Sequence, residues 1–283
     1  QGTIRVDEER QSFVANGNEI KVIYADSPEE IDYTEYGINR CIVIDNTGVW
    51  RDEAGLARHL QATGVAKVIL TAPGKGDIKN IVAGINDSDI ADDDTILSAA
   101  SCTTNAIVPV LKAADDEYGI SAGHVETVHA YTNDQRILDF PHSDLRRARA
   151  AAVNMIPTST GAAKAIALVL PHLKGKLDGY AMRVPVPTGS ATDLTVELKT
   201  AATKEEINAV VKQAADGPMK GILQYTEDPI VSTDIVTDPS SCIFDAGMTN
   251  ANGNMAKVLG WYDNEWGYSN RLVDLVGLVG ATP

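Results

Sequence analysis

Thr95-Ile-Leu-Ser-Ala-Ala-Ser-Cys-Thr-Thr-Asn-Ala-Ile-Val-Pro-Val-Leu-Lys112 is the stretch on which the fold reading turns. Its first six residues are a short apolar run. After Ser101-Cys102-Thr103-Thr104-Asn105 the apolar positions 107, 110, 111 and 114 recur at helical spacing. The order is therefore strand, cysteine, helix. A thiol at a helix N-terminus meets backbone N–H groups without partners and the positive end of the helix dipole, and both favour the thiolate. Against this, a single cysteine at a strand end is by default a small buried hydrophobe. It becomes a candidate nucleophile only when a histidine elsewhere in the chain supplies a base.

Upstream, Cys41-Ile-Val-Ile-Asp45 and Ala66-Lys-Val-Ile-Leu-Thr71 read as buried strands. They flank a helix expected over 52–63, with Ala54, Leu56, Ala57 and Leu60 among its apolar positions. Strand, helix, strand in so short a span is a βαβ unit, which implies a parallel sheet with its ligand at the C-terminal ends of the strands. Thr47 and Thr71 lie at such ends. Before this unit, Asn16-Gly17 between alternating segments predicts a hairpin. A dinucleotide fold should open with a strand, GxGxxG and an acidic residue about twenty positions further on. No such fingerprint is present. The nearest match, Gly74-Lys-Gly-Asp-Ile-Lys79, lacks the third glycine and runs into apolar Ile81-Val-Ala-Gly-Ile85 rather than a helix. Either the fold is a different one or the chain begins after the first βαβ unit.

Downstream, Gly123 to Thr132 alternates as a strand carrying His129 near its end. Residues 133–157 are polar and basic without a clear period. Thr158-Ser-Thr-Gly161 then offers hydroxyl caps to a helix beginning at Ala162. Further strands are expected at Tyr180–Val184, Ala191–Leu198, Ile230–Val236, Cys242–Ala246 and Lys257–Tyr262, with helices over 204–215 and 265–280. This half reads as α+β on an antiparallel sheet.

With 283 residues the chain suits two domains. No run approaches the 18 or so apolar residues of a membrane span, and no basic-then-apolar leader opens the chain, so no membrane association is expected. Three cysteines (Cys41, Cys102, Cys242) argue against a disulfide framework and for a reducing, cytoplasmic setting. None pairs in a CxxC, so no metal is expected. The formal net charge of −15 disfavours nucleic acid as a partner, and any phosphate site must be locally basic. Arg146, Arg147 and Arg149 are notable on that ground, although a run of this kind standing alone is better read as a solvated helix face or a subunit contact.

Several motifs occur in order along the chain. They are Ser101-Cys-Thr-Thr-Asn105, His129-Ala-Tyr-Thr-Asn-Asp-Gln135, Asp144-Leu-Arg-Arg-Ala-Arg-Ala150, Pro157-Thr-Ser-Thr-Gly-Ala-Ala-Lys-Ala165, Met182-Arg-Val-Pro185 and Trp261-Tyr-Asp-Asn-Glu-Trp-Gly-Tyr268. With these the sequence resembles the phosphorylating, bacterial-type glyceraldehyde-3-phosphate dehydrogenases. The resemblance implies a Rossmann-type NAD(P)-binding domain, partial here, over 1–101 plus the C-terminal helix 265–283. An antiparallel-sheet catalytic domain over 102–264 would follow. It also implies a chain that starts downstream of the first βαβ unit, which would explain the missing glycine fingerprint.

The resemblance further implies oxidation of glyceraldehyde 3-phosphate through a thioester on Cys102, with His129 as its base and inorganic phosphate releasing the acyl group as 1,3-bisphosphoglycerate. By motif, Thr132 and Arg183 would hold the substrate phosphate, and Ser101, Thr103, Thr160, Gly161 and Arg147 the inorganic phosphate. Asn264 would fix the nicotinamide carboxamide, with Thr47, Thr71, Asn133 and Pro141 lining the cofactor. Pro141 leans towards NAD, whereas the Gly74-Lys-Gly loop resembles that of some NADP users, so NAD and NADP both stay open. A homotetramer is implied, with residues 131–157 near its centre. Two alternatives remain at this point: erythrose-4-phosphate dehydrogenase, and a truncated thiol acyltransferase or hydrolase working without a cofactor. Departures from the family pattern are Ala106, Asn46-Thr-Gly48 and Pro187-Thr-Gly-Ser190, and none touches the proposed nucleophile.

Overall fold

The computed structural model describes residues 4–281. It opens with a three-stranded antiparallel sheet of β1 (Ile4–Asp7), β2 (Ser12–Ala15) and β3 (Asn18–Lys21). Asn16 and Gly17 join β2 to β3 with φ of 52° and 86°. Positive φ at both central residues matches the right-handed twist of the flanking strands, which is why Asn-Gly marks the hairpin.

A four-stranded parallel sheet follows, built from β4 (Cys41–Asp45), β5 (Val65–Leu70), β6 (Lys79–Asn80) and β7 (Ile96–Ser98) in the order β4-β5-β7-β6. The helix expected over 52–63 is broken. Only α1 (Glu53–Leu56) is α-helical, and His59–Gln61 forms a separate 3-10 turn. Gly55 packs so tightly on Trp50 that an added Cβ would lie 2.7 Å from the indole, and Arg58 stacks over the same ring. Glycine at this position weakens the helix.

The larger sheet has seven strands in the order β12-β13-β14-β11-β8-β10-β9. In chain order these and their helices are α2 (Cys102–Tyr118), β8 (Ile120–Ala130), β9 (Ile156–Ser159), α3 (Ala162–Val169), β10 (Leu177–Val184), β11 (Ser190–Leu198), α4 (Lys204–Asp216), β12 (Leu223–Thr226), β13 (Cys242–Asn252), β14 (Met255–Tyr262) and α5 (Trp266–Ala281). The ladder is antiparallel except for the parallel pairs β8·β10 and β12·β13, so the sheet is mixed. No strand forms at Ile230–Val236. There Asp234 folds its carboxylate back onto the Val231 N–H at 2.8 Å, and side-chain-to-backbone bonding makes a turn in place of a ladder. Strand β12 was not anticipated.

One continuous core joins α2, α3 and α4 to this sheet, through Ile107, Leu111, Ile166, Val211, Phe244 and Tyr262 among others. The C-terminal helix α5 turns back instead to the parallel sheet, where Leu275 and Val279 pack on Ile69, Ile81 and Leu97. Helix α2 therefore starts where the two sheets meet and is buried along most of its length, with Ile107 fully enclosed and Leu111 1% exposed. No helix among the described residues is long and apolar enough to cross a membrane.

Truncating Leu111 to Ala removes a side chain from the centre of that core. We expect a loss of about 3 kcal/mol, within the usual range for buried leucine. Urea denaturation would show it as a lower midpoint with an unchanged slope.

Candidate active site

Strand β7 passes into α2 through three residues, and each is pinned. The Ala99 N–H donates to the Leu70 carbonyl at 2.9 Å. Ala100, fully buried, takes a φ of 56°, a left-handed conformation that costs a non-glycine residue about 1–3 kcal/mol. Ser101 is the N-cap, and its Oγ accepts the Thr104 N–H at 3.0 Å. Cys102 is the first residue of the helix and is half-buried. The Asn105 side-chain amide donates back to the carbonyls of Ala99 (3.0 Å) and Ser101 (2.9 Å), holding the helix start against the strand end.

Parallel pairing of β8 with β10 sets His129 directly opposite Arg183. The Cys102 Sγ lies 3.5 Å from His129 Nε2. On the far side of the ring, Nδ1 is 2.7 Å from the Ala130 carbonyl, to which it donates in one tautomer, leaving the Nε2 lone pair towards the thiol. Arg183 Nη1 donates to the same carbonyl at 2.9 Å and lies 2.9 Å from Nδ1. Burial, reinforced by this guanidinium, pulls the His129 pKa down to about 4. Burial also pushes the Cys102 thiol up, against the opposing effects of the Thr103 hydroxyl and Arg183. Desolvation thus opposes the helix dipole and disfavours charge on either member of the pair.

Ser101, Cys102, Thr103, His129, Arg147, Thr160, Gly161 and Arg183 together line a cavity of about 180 Å³. Their backbone elements are the start of α2, β8, β10, the turn into α3 and, for Arg147, the irregular segment between β8 and β9. That turn differs from expectation: Gly161 is itself the N-cap, and Thr160 Oγ1 accepts the Ala162 N–H at 3.2 Å. Arg183 lines the cavity and keeps its Nε buried without a partner, while its Nη1 is 3.4 Å from Thr132 Oγ1. Arg147 is fully engaged. It is held by the Asp134 carboxylate, by Thr158 Oγ1 (2.9 Å) and by the Ser159 carbonyl (3.1 Å), with Asp144 3.7 Å away.

A larger cavity of about 710 Å³ opens at the C-terminal ends of β4 and β5, where parallel-sheet geometry puts ligands. Thr71, Thr132 and Asn133 line it, together with Asn46 and Gly48. Thr47, between those last two, is bonded through both its N–H and its hydroxyl to Asp45 at 2.7 Å. Asn264 is buried beside Glu265, which lines the cavity. Its Oδ1 accepts from Gly189 N–H (3.2 Å) and Ser190 Oγ (2.8 Å), leaving only its amide N–H groups to serve a ligand. Pro141 is exposed and lines neither cavity.

Sequence reasoning missed several residues of this region. Thr127 shares the buried face of β8 with His129 two positions on, a signal present in the alternation. The hydroxyl of Tyr262 bridges Thr127 (2.9 Å) and Thr103 (3.0 Å), and its ring meets the His129 ring edge-on. Asp45 is paired with His59 at 3.0 Å under the Thr47 loop. Nothing local in the sequence announces these long-range partners.

Residues 101–264 match the family model described as glyceraldehyde 3-phosphate dehydrogenase, C-terminal domain. A glyceraldehyde-3-phosphate dehydrogenase of Streptomyces coelicolor is 56% identical over 278 residues, which is 97% of this chain and 82% of that protein. The chain belongs to the glyceraldehyde-3-phosphate dehydrogenase family. Glyceraldehyde-3-phosphate dehydrogenase 2 of Streptomyces avermitilis is 56% identical over 272 residues, covering 95% of this chain and 80% of the relative. The Mycobacterium avium enzyme of the same name is 56% identical over 257 residues, covering 91% and 75%. The cysteine, the histidine and both arginines of the smaller cavity all fall inside the segment that matches the family model.

With His129 neutral above about pH 4 and the thiol raised, alkylation of Cys102 by iodoacetamide should be slow and nearly flat between pH 5 and 7. It should climb only as pH enters and passes the ordinary thiol range, since the thiolate is the reacting form. Peptide mass spectrometry separates Cys102 from Cys41 and Cys242. A full alkylation rate already at pH 6 would mean a resting thiolate–imidazolium pair instead.

Proposed function

We propose that this protein oxidises glyceraldehyde 3-phosphate and phosphorylates the product to 1,3-bisphosphoglycerate, with Cys102 as the acyl-carrying nucleophile. The observation that carries this is the 3.5 Å contact between Cys102 Sγ and His129 Nε2. His129 takes the thiol proton as sulfur attacks the aldehyde carbon and returns it to the carbonyl oxygen, giving a thiohemiacetal and leaving the imidazole neutral again. It then accepts the hydroxyl proton of that adduct as the carbon gives up hydride. A nicotinamide dinucleotide, when bound, supplies the hydride acceptor. The thioester left on Cys102 is attacked by inorganic phosphate, which releases the acyl phosphate and restores the thiol.

The residues fit such a cofactor where they can be tested. Asn264 has its oxygen committed and only donors to spare, which suits a carboxamide oxygen, Thr71 and Asn133 border the cavity at the strand ends, and Thr47 lies between the lining residues Asn46 and Gly48. Preference for NAD or NADP is open. The orphaned Nε of Arg183 and the nearby Thr132 hydroxyl suit the substrate phosphate, since a buried guanidinium N–H without a partner gains most from an anion. Ser101, Thr103, Thr160, Gly161 and Arg147 surround the second anion position at the start of α3, where Arg147 would exchange Asp134 for phosphate. In this reading residues 1–101 with 265–283 carry the cofactor and 102–264 the chemistry. Three unpaired cysteines are in keeping with a cytoplasmic enzyme.

Neither erythrose-4-phosphate dehydrogenase nor a cofactor-free thiol acyltransferase or hydrolase gains support from the comparisons. Cys102→Ala should abolish aldehyde-dependent formation of reduced nicotinamide, read at its absorbance band, and glyceraldehyde 3-phosphate should outperform erythrose 4-phosphate in kcat/KM. Retained activity in the alanine variant would refute the nucleophile assignment.

The segment 131–157 exposes Ile137, Leu138, Phe140, Leu145, Val153 and Met155. So dense a set of apolar side chains on one irregular segment suits a subunit contact, and we read the protein as a homotetramer. Native mass spectrometry should give four copies, and Phe140→Asp with Leu138→Asp should shift the population to smaller species.

A further inference from the structure

The elbow between β7 and α2 is held by two side chains to which the mechanism above gives no role. The Ser98 hydroxyl, fully buried, accepts the Ala100 N–H at 3.0 Å. It also reaches the Ala72 carbonyl at 2.7 Å and Asn80 Oδ1 at 2.9 Å. Asn80 in turn accepts the Gly74 N–H at 3.1 Å. The hydroxyl of Tyr268, carried on α5, donates to the Ala100 carbonyl at 3.2 Å. Both backbone polar groups of Ala100 are therefore bound by side chains, one from two residues upstream and one from the C-terminal helix, and Ala100 is the residue with φ of 56°. Its two neighbours lead straight to Cys102.

We propose that Ser98 and Tyr268 are positioning residues for the reaction. They hold Ala100 in a conformation it would otherwise leave, and that conformation sets where Cys102 Sγ sits relative to His129 Nε2. A non-glycine residue stays left-handed only while its surroundings over-determine it. Here the determinants are one N–H acceptor and one C=O donor. Releasing either lets the peptide relax towards negative φ, which swings the first turn of α2 and lengthens the 3.5 Å contact. Ser98 adds a second link, because Ala72 borders the larger cavity and Pro73 the smaller, so one hydroxyl ties the elbow to the wall between them. Tyr268 makes the C-terminal helix part of the same device. The proposal rests on the reading of Cys102 as nucleophile.

The test uses the intact protein with Ser98→Ala, Tyr268→Phe and Ala100→Gly, singly and combined. Glycine takes positive φ without strain, so it should hold the elbow without either side chain. Ser98→Ala and Tyr268→Phe should each lower kcat and the rate of Cys102 alkylation about tenfold, with KM for the aldehyde nearly unchanged, as expected for a small misplacement of a reacting group. Adding Ala100→Gly to either should restore both rates. A purely structural role would lower the thermal midpoint but leave alkylation and kcat alone, and that outcome overturns the proposal, as does failure of Ala100→Gly to rescue. Tyr268→Phe is isosteric and keeps the test open if Ser98→Ala does not fold. The alkylation arm does not depend on turnover. Activity surviving Cys102→Ala would sink the nucleophile reading, whereas unchanged rates in the Ser98 and Tyr268 variants, with Cys102 essential, would sink the positioning role alone.

Discussion

A helix that begins inside a protein must find acceptors for its first N–H groups, and the start of α2 lies buried between two sheets. Ser101 Oγ satisfies one N–H and the chain returns another to the Ser101 carbonyl, from Asn105. What remains of that positive end is directed at the smaller cavity, which Ser101, Cys102 and Thr103 share with Arg147, Arg183 and the turn into α3. An anion site in a chain of net charge −15 needs such a local concentration of donors. The placement of α2 thus decides at once where the thiol stands and where phosphate can be bound.

Burial shapes the electrostatics of this region more than dipole direction does. His129 is 3% exposed and faces the Arg183 guanidinium, so a proton on it is disfavoured. Arg147 at the rim is paired with Asp134, whereas the Arg183 charge stands beside the imidazole. A thiol and an imidazole 3.5 Å apart are within reach of proton exchange when an electrophile arrives.

Much of this was legible along the chain. The Asn-Gly hairpin, the parallel strands at 41–45 and 65–70, helix α2, the strand ending at His129 and helices α4 and α5 are local patterns of period or turn chemistry, and local patterns survive folding. The helix expected at 52–63 is α-helical only to Leu56, with a helix-weakening glycine at 55, and the strand expected at 230–236 gives way to a turn because the Asp234 carboxylate accepts the Val231 N–H. Hydrophobic period reports neither effect. Pairing Cys102 with His129 was reached through family motifs, since 27 residues separate them in sequence.

The sequence by itself determined most of the elements, the candidate nucleophile and, through ordered motifs, its base and the family, because these depend on residue type at short spacing within each motif. Only the tertiary structure decided the protonation of the site, the capture of Arg147 by Asp134, the spare Nε of Arg183 and the left-handed turn at Ala100. Each of these depends on what is brought against a side chain from far along the chain. Desolvation and hydrogen-bond completion are properties of the packed surroundings, which no single segment carries.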